Sequence, residues 1–112
     1  MISLFSQGDI IYINFNPQSG HEQKGRRPAI VVTNNLFNQF SKMLMVCPIT
    51  NTDKKHPFHI KLDERTKTTG TILCDQARTL DVYARDAMFV EKAPGDIINE
   101  VIDMIKSFID TK

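Results

Sequence analysis

QGDIIYINFNP, residues 7–17, is the stretch on which the fold class turns. A turn at residues 6–9 gives way to a run of β-branched and aromatic residues, 10–15, and Asn16-Pro17 closes it. Working outward, further short runs of the same kind follow. Residues 29–33 (AIVVT) are continuously apolar, as in a strand buried on both faces. Residues 43–47 (MLMVC) resume strand character, with Pro48 expected to mark a bulge or a sheet edge. Residues 58–62 (FHIKL) alternate, so Phe58, Ile60 and Leu62 are expected to face inward and His59 and Lys61 outward. Residues 70–75 (GTILCD) read as a strand ending in an acid, and residues 87–91 as a last short strand.

Two helical segments interrupt this pattern. Asn34-Asn35 can cap a short turn running to about Phe40. Pro94-Gly95-Asp96 opens a second helix, with apolar residues at 97, 98, 101, 102, 105, 108 and 109 following the 3.6-residue period. Asp96 and Glu100 suit the positive end of that helix, and its tail, residues 104–110, reads as core-packing. Five to seven short strands and one closing helix give a mostly β (β + α) fold, a small barrel or curled sheet. Strands and helices do not alternate as in a parallel α/β fold.

A chain of 112 residues builds one compact core, so residues 1–112 are expected to form one domain. Its 41% hydrophobic and 24% charged residues are ordinary globular values, which sets disorder aside. Net charge is +1, so bulk charge names no polyanionic partner. Residues 21–27 and 52–69 each carry a net +2, while residues 91–112 carry −2. No apolar run reaches the roughly 18 residues of a membrane span. The first ten residues lack the basic and apolar regions of a secretory signal. Cys47 and Cys74 lie in apolar runs and are expected to be reduced core thiols of a cytoplasmic protein.

The chemistry narrows by elimination. His21, His56, His59, Cys47 and Cys74 show no paired ligand spacing. His56 and His59, three apart, are expected on opposite faces of a strand, so no metal is assigned. No nucleophile elbow, Walker loop or dinucleotide fingerprint is present, and neither cysteine has the electropositive setting of a reactive thiolate. What remains is GHEQKGRRP, residues 20–28, which places Glu22 among Lys24, Arg26 and Arg27. Such a run can be a solvated loop with internal ion pairs. It can also supply a proton acceptor and a bidentate phosphate donor. Thr50 could add a hydroxyl donor, and Asp75-Gln76-Ala77-Arg78 an acid, an amide and a guanidinium; Asp75 could equally cap a turn. That set suits metal-free phosphoryl transfer on RNA, whose 2′-hydroxyl is its own nucleophile.

Four blocks now carry a family likeness: Gly8-Asp9 before a strand with Asn16-Pro17 after it; residues 20–29; Cys47-Pro48-Ile49-Thr50; and residues 73–81, LCDQARTLD. In order and spacing they resemble the MazF/PemK toxins of type II toxin–antitoxin systems, from about residue 7 to the end. The resemblance implies an SH3-like barrel with a C-terminal helix, working as a homodimer. It implies a sequence-specific, metal-independent endoribonuclease with no cofactor. It further implies that single-stranded mRNA is cut by 2′-hydroxyl attack, leaving 2′,3′-cyclic phosphate and 5′-hydroxyl ends. It also implies a cognate antitoxin, expected to be acidic and partly disordered to suit the basic loops.

By position, the resemblance makes Arg27 the general acid and phosphate stabiliser and Thr50 a holder of the scissile phosphate. Glu22 matches a proposed base. Asp75 matches the base of the plasmid-borne branch, which places an arginine two residues earlier; Leu73 stands there in this chain, so the base is assigned to Glu22 and Asp75 is kept as a possible catalytic residue. Gln23, Lys24 and Arg78 are expected RNA contacts, with Lys54, Lys55 and His56 as further phosphate contacts and His59 as a surface residue able to touch RNA. The alternative is a non-enzymatic poison of DNA gyrase like CcdB, which shares only the fold and would depend on the C-terminal helix.

Overall fold

In the computed structural model, which describes residues 4–16, 20, 25–52 and 55–111, seven antiparallel strands and a long C-terminal helix form the fold. In chain order these are β1 (Asp9–Asn14), β2 (Arg26–Val31), α1 (Asn35–Phe40), β3 (Met43–Thr50), β4 (His59–Lys61), β5 (Thr71–Leu73), β6 (Arg78–Asp81), β7 (Met88–Lys92) and α2 (Gly95–Ile109). A 3-10 turn, Cys74–Gln76, separates β5 from β6. The sheet runs β4-β5-β3-β2-β1-β7, with β6 also on β3. The sheet is not closed into the barrel that the sequence suggests: β4 and β7 stand at its two ends.

β3 organises the molecule. One edge pairs with β2; the other pairs first with β6 (Met43–Val46) and then with β5 (Ile49 and Thr50). Pro48 therefore does not end the strand. It sits opposite Ala29, at the point where the other edge changes partner, a gap in the ladder where a missing N–H costs least. The sheet buries both faces, which explains the unbroken apolar run of β2. On one face Ile10, Ile30, Cys47, Ile49, Ile60 and Ile72 pack under Ile97, Ile98 and Val101 of α2. On the other, Ile11, Ile13, Phe15, Ala29, Val31, Leu44, Val46 and Leu80 form a second cluster. Cys47 and Cys74 are free and buried, and the hydrogen bond with Cys74 together with burial pushes the Cys47 thiol well up.

The motif residues at the start of β1 serve the fold. The Asp9 carboxylate is buried, accepts the Ser6 amide at 2.8 Å and pairs with Lys92 at 3.0 Å, tying the entry turn to β7. Asn34 caps α1 as expected, its side chain accepting the Phe37 amide at 2.9 Å.

Two inward assignments do not hold. Phe58 precedes β4, is 43% exposed and lies edge-on to Phe108 with ring centroids 4.9 Å apart. The alternation of residues 58–62 fails there because only His59–Lys61 are in the ladder. At the end of α2, Met104 and Ile105 pack on the core, whereas Phe108 and Ile109 are exposed, because the helix outruns the sheet beneath it.

The start of α2 is held by an ion-pair cluster. Arg65 donates to both oxygens of Asp96, at 2.8 and 2.9 Å, and to Asp63 at 2.8 Å. Hydrogen bonding to Arg65 lowers the pKa of both carboxyls from the ordinary 3.8. Carboxylates lowered in the folded state add stability above the ordinary pKa, and that stability is lost as pH falls through the folded-state values. Arg65→Gln is thus expected to flatten the acid limb of the stability curve below about pH 4. The effect is small, since exposed pairs are screened. Urea midpoints at pH 7 and pH 2.5 check this: an equal drop in both proteins removes the cluster from the pH dependence.

Candidate active site

Among the described residues, Arg27, Thr50 and Arg78 lie on one face of the sheet. Arg27 lies in β2 across from Ile13, half-buried, on the face shared with Ala29 and Val31. Carrying the β2–β3 register two residues past Ala29 and Pro48 sets Arg27 opposite Thr50. Thr50 pairs in turn with Thr71, and Thr71 with Lys61. The result is a stripe of guanidinium, two hydroxyls and an ammonium across four strands, on the face opposite Ile49, Ile72 and Ile60.

Thr50 is buried at the strand end. Its Oγ1 accepts the Thr52 amide at 3.2 Å and lies 3.0 Å from the Thr52 hydroxyl, which fixes its rotamer. Arg78, opposite Val46 at the start of β6, places its guanidinium 6.0 Å from the Phe15 ring centre on this same face. Arg26 points to the other side, over the Tyr12 ring.

The loop that opened the chemical argument is closed at its base. The Gly25 amide donates to the Asn16 side chain at 2.9 Å, and Phe15 donates to the Gly25 carbonyl at 2.9 Å. Arg85 donates to the carbonyls of Asn14 and Asn16 at 3.0 and 2.8 Å. Asn16 is thus an anchor that ties the end of β1 to the residue before β2. Glu22, Gln23, Lys24 and Lys54 lie outside the described residues.

Beyond Thr71 the stripe opens into a polar groove of about 910 Å³, lined among others by Asn51, Lys55, His56, His59 and Lys61. Asp75 lies beside it on the 3-10 turn rather than at a strand end. Here the expectation for the histidines is corrected. His56 precedes the turn through Pro57 and Phe58, outside β4, so strand parity does not apply to it; its ring stacks on His59 with centroids 4.5 Å apart. The Phe58 amide donates to His56 Nδ1 at 3.2 Å. His59 is no exposed surface residue either: its side chain is 10% exposed, and Nε2 meets Asp75 Oδ1 at 2.7 Å.

His56, His59 and Asp75 offer ligand atoms within 4.8 Å of one another. The two imidazole planes are within 27° of parallel, so their in-plane lone pairs run side by side rather than toward one point. His59 Nε2 is also already engaged by Asp75. As arranged, this is a hydrogen-bonded acid–imidazole pair, not a metal cage.

His59 is the residue that the sequence reading misplaced. Outward was equated with solvent, but the outward face of β4 is the groove wall. The signal was its position across from Leu73, two residues before Asp75.

This fold recurs in known proteins. The family model of PemK-like, MazF-like toxins of type II toxin–antitoxin systems matches residues 6–109. Endoribonuclease PemK from Escherichia coli is 36% identical over 107 residues, covering 92% of this chain and 80% of its own. The endoribonuclease toxin MazF of Escherichia coli K12 is 32% identical over 103 residues, covering 92% and 88%. Among solved structures, MazF from Deinococcus radiodurans superposes with a TM-score of 0.88 at 35% identity, covering 94% of this chain and 96% of that one. A MazE–MazF complex from the same organism superposes at 0.81, with 29% identity and coverage of 96% and 97%. With the fold and nearly the whole length in agreement, the chain belongs to the family of PemK-like, MazF-like toxins of type II toxin–antitoxin systems.

Proposed function

We propose that this chain is the toxin of a type II toxin–antitoxin pair and acts, as one domain and as a homodimer in the cytoplasm, as an endoribonuclease on single-stranded RNA, mRNA above all. The observation that carries the reading is the stripe of Arg27, Thr50, Thr71 and Lys61 on one sheet face, a track of donors for a phosphodiester backbone. The names of its relatives support the same activity.

The reaction needs no external nucleophile. Glu22 takes the proton of the 2′-hydroxyl, the 2′-oxygen attacks phosphorus and the bond to the 5′-oxygen breaks, leaving 2′,3′-cyclic phosphate and 5′-hydroxyl ends. Arg27 presents its planar fork to the phosphoryl oxygens as charge builds there and passes a proton to the leaving 5′-oxygen, and the fixed Thr50 hydroxyl donates to the phosphoryl group. Lys55, His56 and Arg78, with Gln23, Lys24 and Lys54, hold the flanking strand. An acidic antitoxin segment competes for this basic groove. The gyrase-poison alternative has no such support, since the relatives named above are endoribonucleases.

The test is incubation with a long, unstructured, mixed-sequence RNA in excess EDTA, followed by analysis of the 3′ ends. Discrete cuts ending in cyclic phosphate are expected. Uncut RNA, or cleavage only after magnesium is added, overturns the reading.

A further inference from the structure

We infer that Cys47 and Cys74 form a reversible disulfide pair through which oxidation shuts down the candidate active site. The bond goes beyond the ribonuclease reading; its effect on cleavage rests on that reading.

Three observations carry the pair. The β3–β5 ladder sets Ile49 across from Ile72, and the same register two residues on sets Cys47 across from Cys74, the first residue of the 3-10 turn. Residues directly opposite in an antiparallel pair have Cα atoms about 4.5–5.5 Å apart, within the span of about 4.4–6.8 Å that a disulfide bridges. Both side chains face the same way, into the core cluster of Ile49 and Ile72 beneath α2. And the two thiols already meet, joined by a hydrogen bond.

Both sulfurs are buried, so closure starts with a local opening. The turn that carries Cys74 is weakly held. It is a single turn with no side-chain cap at its start, and the Ala77 amide closes it on the Cys74 carbonyl at 3.4 Å. The oxidant is a small-molecule disulfide of the glutathione class. The Cys74 thiolate attacks one of its sulfurs, forming a mixed disulfide and releasing one glutathione thiolate. The Cys47 thiolate then attacks the Cys74 sulfur and releases the second. Each cysteine gives up one proton and each departing thiolate takes one, so the protein dithiol is oxidised as the oxidant is reduced to two thiols. Cys47 suits the second role. Its thiol is pushed up first by the hydrogen bond with Cys74 and then by burial, and the first cause ends once Cys74 is in the mixed disulfide. In a reducing compartment the pair rests as thiols.

The bond reaches the site through two short links. Thr50 follows Cys47 by three residues in β3, and Asp75, which meets His59 Nε2 at 2.7 Å, follows Cys74 directly. An S–S bond of about 2.05 Å is shorter than a contact between unbonded thiols, so closure draws β3 and the turn together. A close-packed core passes such a shift on rather than absorbing it, here to Thr50 and Asp75.

The experiment exposes the full chain to rising ratios of oxidised to reduced glutathione, blocks remaining thiols with iodoacetamide, and reads intact mass, peptide map and RNA cleavage. Expected are the loss of two hydrogens, no alkylation, a peptide joining Cys47 to Cys74, and a retained cooperative thermal transition. Cleavage at a mapped cut should fall about 10–100-fold in the closed form, the scale of a misplacement of about 1 Å, and return with dithiothreitol. Cys74→Ala should cleave like the reduced parent and ignore the oxidant; the mass and map need no variant. Two free thiols after oxidation, a lasting glutathione adduct, a bond between two chains, or a closed form without a thermal transition overturns the pair. A closed pair that cleaves like the reduced protein overturns the shutdown. A reduced protein that cuts no RNA removes the ribonuclease reading instead, while mass and map still decide the bond.

Discussion

Arg27→Ala is expected to lower RNA cleavage by about 10²–10³-fold, the usual loss on removing one donor aimed at developing oxyanion charge, with the protein still folded. The folded part of the claim follows from position. Arg27 is half-buried in β2, past the last β2–β3 ladder pair at Ala29, and the core on its face is built by Ala29, Val31, Ile13 and Phe15. Truncation to Cβ leaves those contacts in place. The catalytic part follows from the extended register, which sets Arg27 across from Thr50, whose hydroxyl is held by Thr52. Arg27→Lys separates charge from shape: an ammonium keeps the attraction for phosphate but loses the fork, so an intermediate rate is expected. Single-turnover rates at a mapped cut, with thermal melting as the fold control, decide it. An alanine variant within a few-fold of the parent would show that the phosphate is held elsewhere.

How far the sequence spoke depended on the kind of feature. β1, β2, β3, α1 and α2 were legible because each has a strong periodic or capped pattern, such as the Asn34 side chain on the Phe37 amide. β6 was not read as a strand, since Arg78–Asp81 alternates too briefly and its partner, the first half of β3, lies over thirty residues away. Pro48, read as marking a bulge or a sheet edge, sits inside β3 at the gap where its outer edge passes from β6 to β5, so its missing amide is not needed. The pairing of Arg27 with Thr50 rests on register, which no local pattern encodes. The same holds for His59 and Asp75, sixteen residues apart and joined only because β4 folds beside β5. Asp9 and Asn16, read as parts of a toxin signature, prove to be anchors: one ties the entry turn to β7, the other ties the end of β1 to Gly25 before β2.

That reliance on register makes one glycine critical. Gly70, just before β5, has φ +122°, a conformation that L side chains rarely adopt. A Cβ there would lie 2.7 Å from the Thr50 carbonyl oxygen and 3.0 Å from its carbonyl carbon. Both are backbone atoms in the β3 ladder, so no side chain can swing aside to make room. Gly70 also accepts the Leu62 amide at 2.9 Å, so its own movement disturbs the chain that follows β4. Gly70→Ala is therefore expected to destabilise the protein by about 2–4 kcal/mol, from backbone strain plus overpacking. The variant should also displace Thr50 from the Arg27 stripe, because the strained contact falls on the residue that holds the phosphate. A loss in kcat beyond the unfolded fraction, with RNA binding through the outer cations largely kept, is the expected signature. Urea denaturation gives the first number, and single-turnover cleavage under conditions where the variant is fully folded gives the second. A variant as stable as the parent would mean that β5 and β3 can separate without cost. A destabilised variant with parental turnover would mean that the Thr50 carbonyl shift does not reach its hydroxyl.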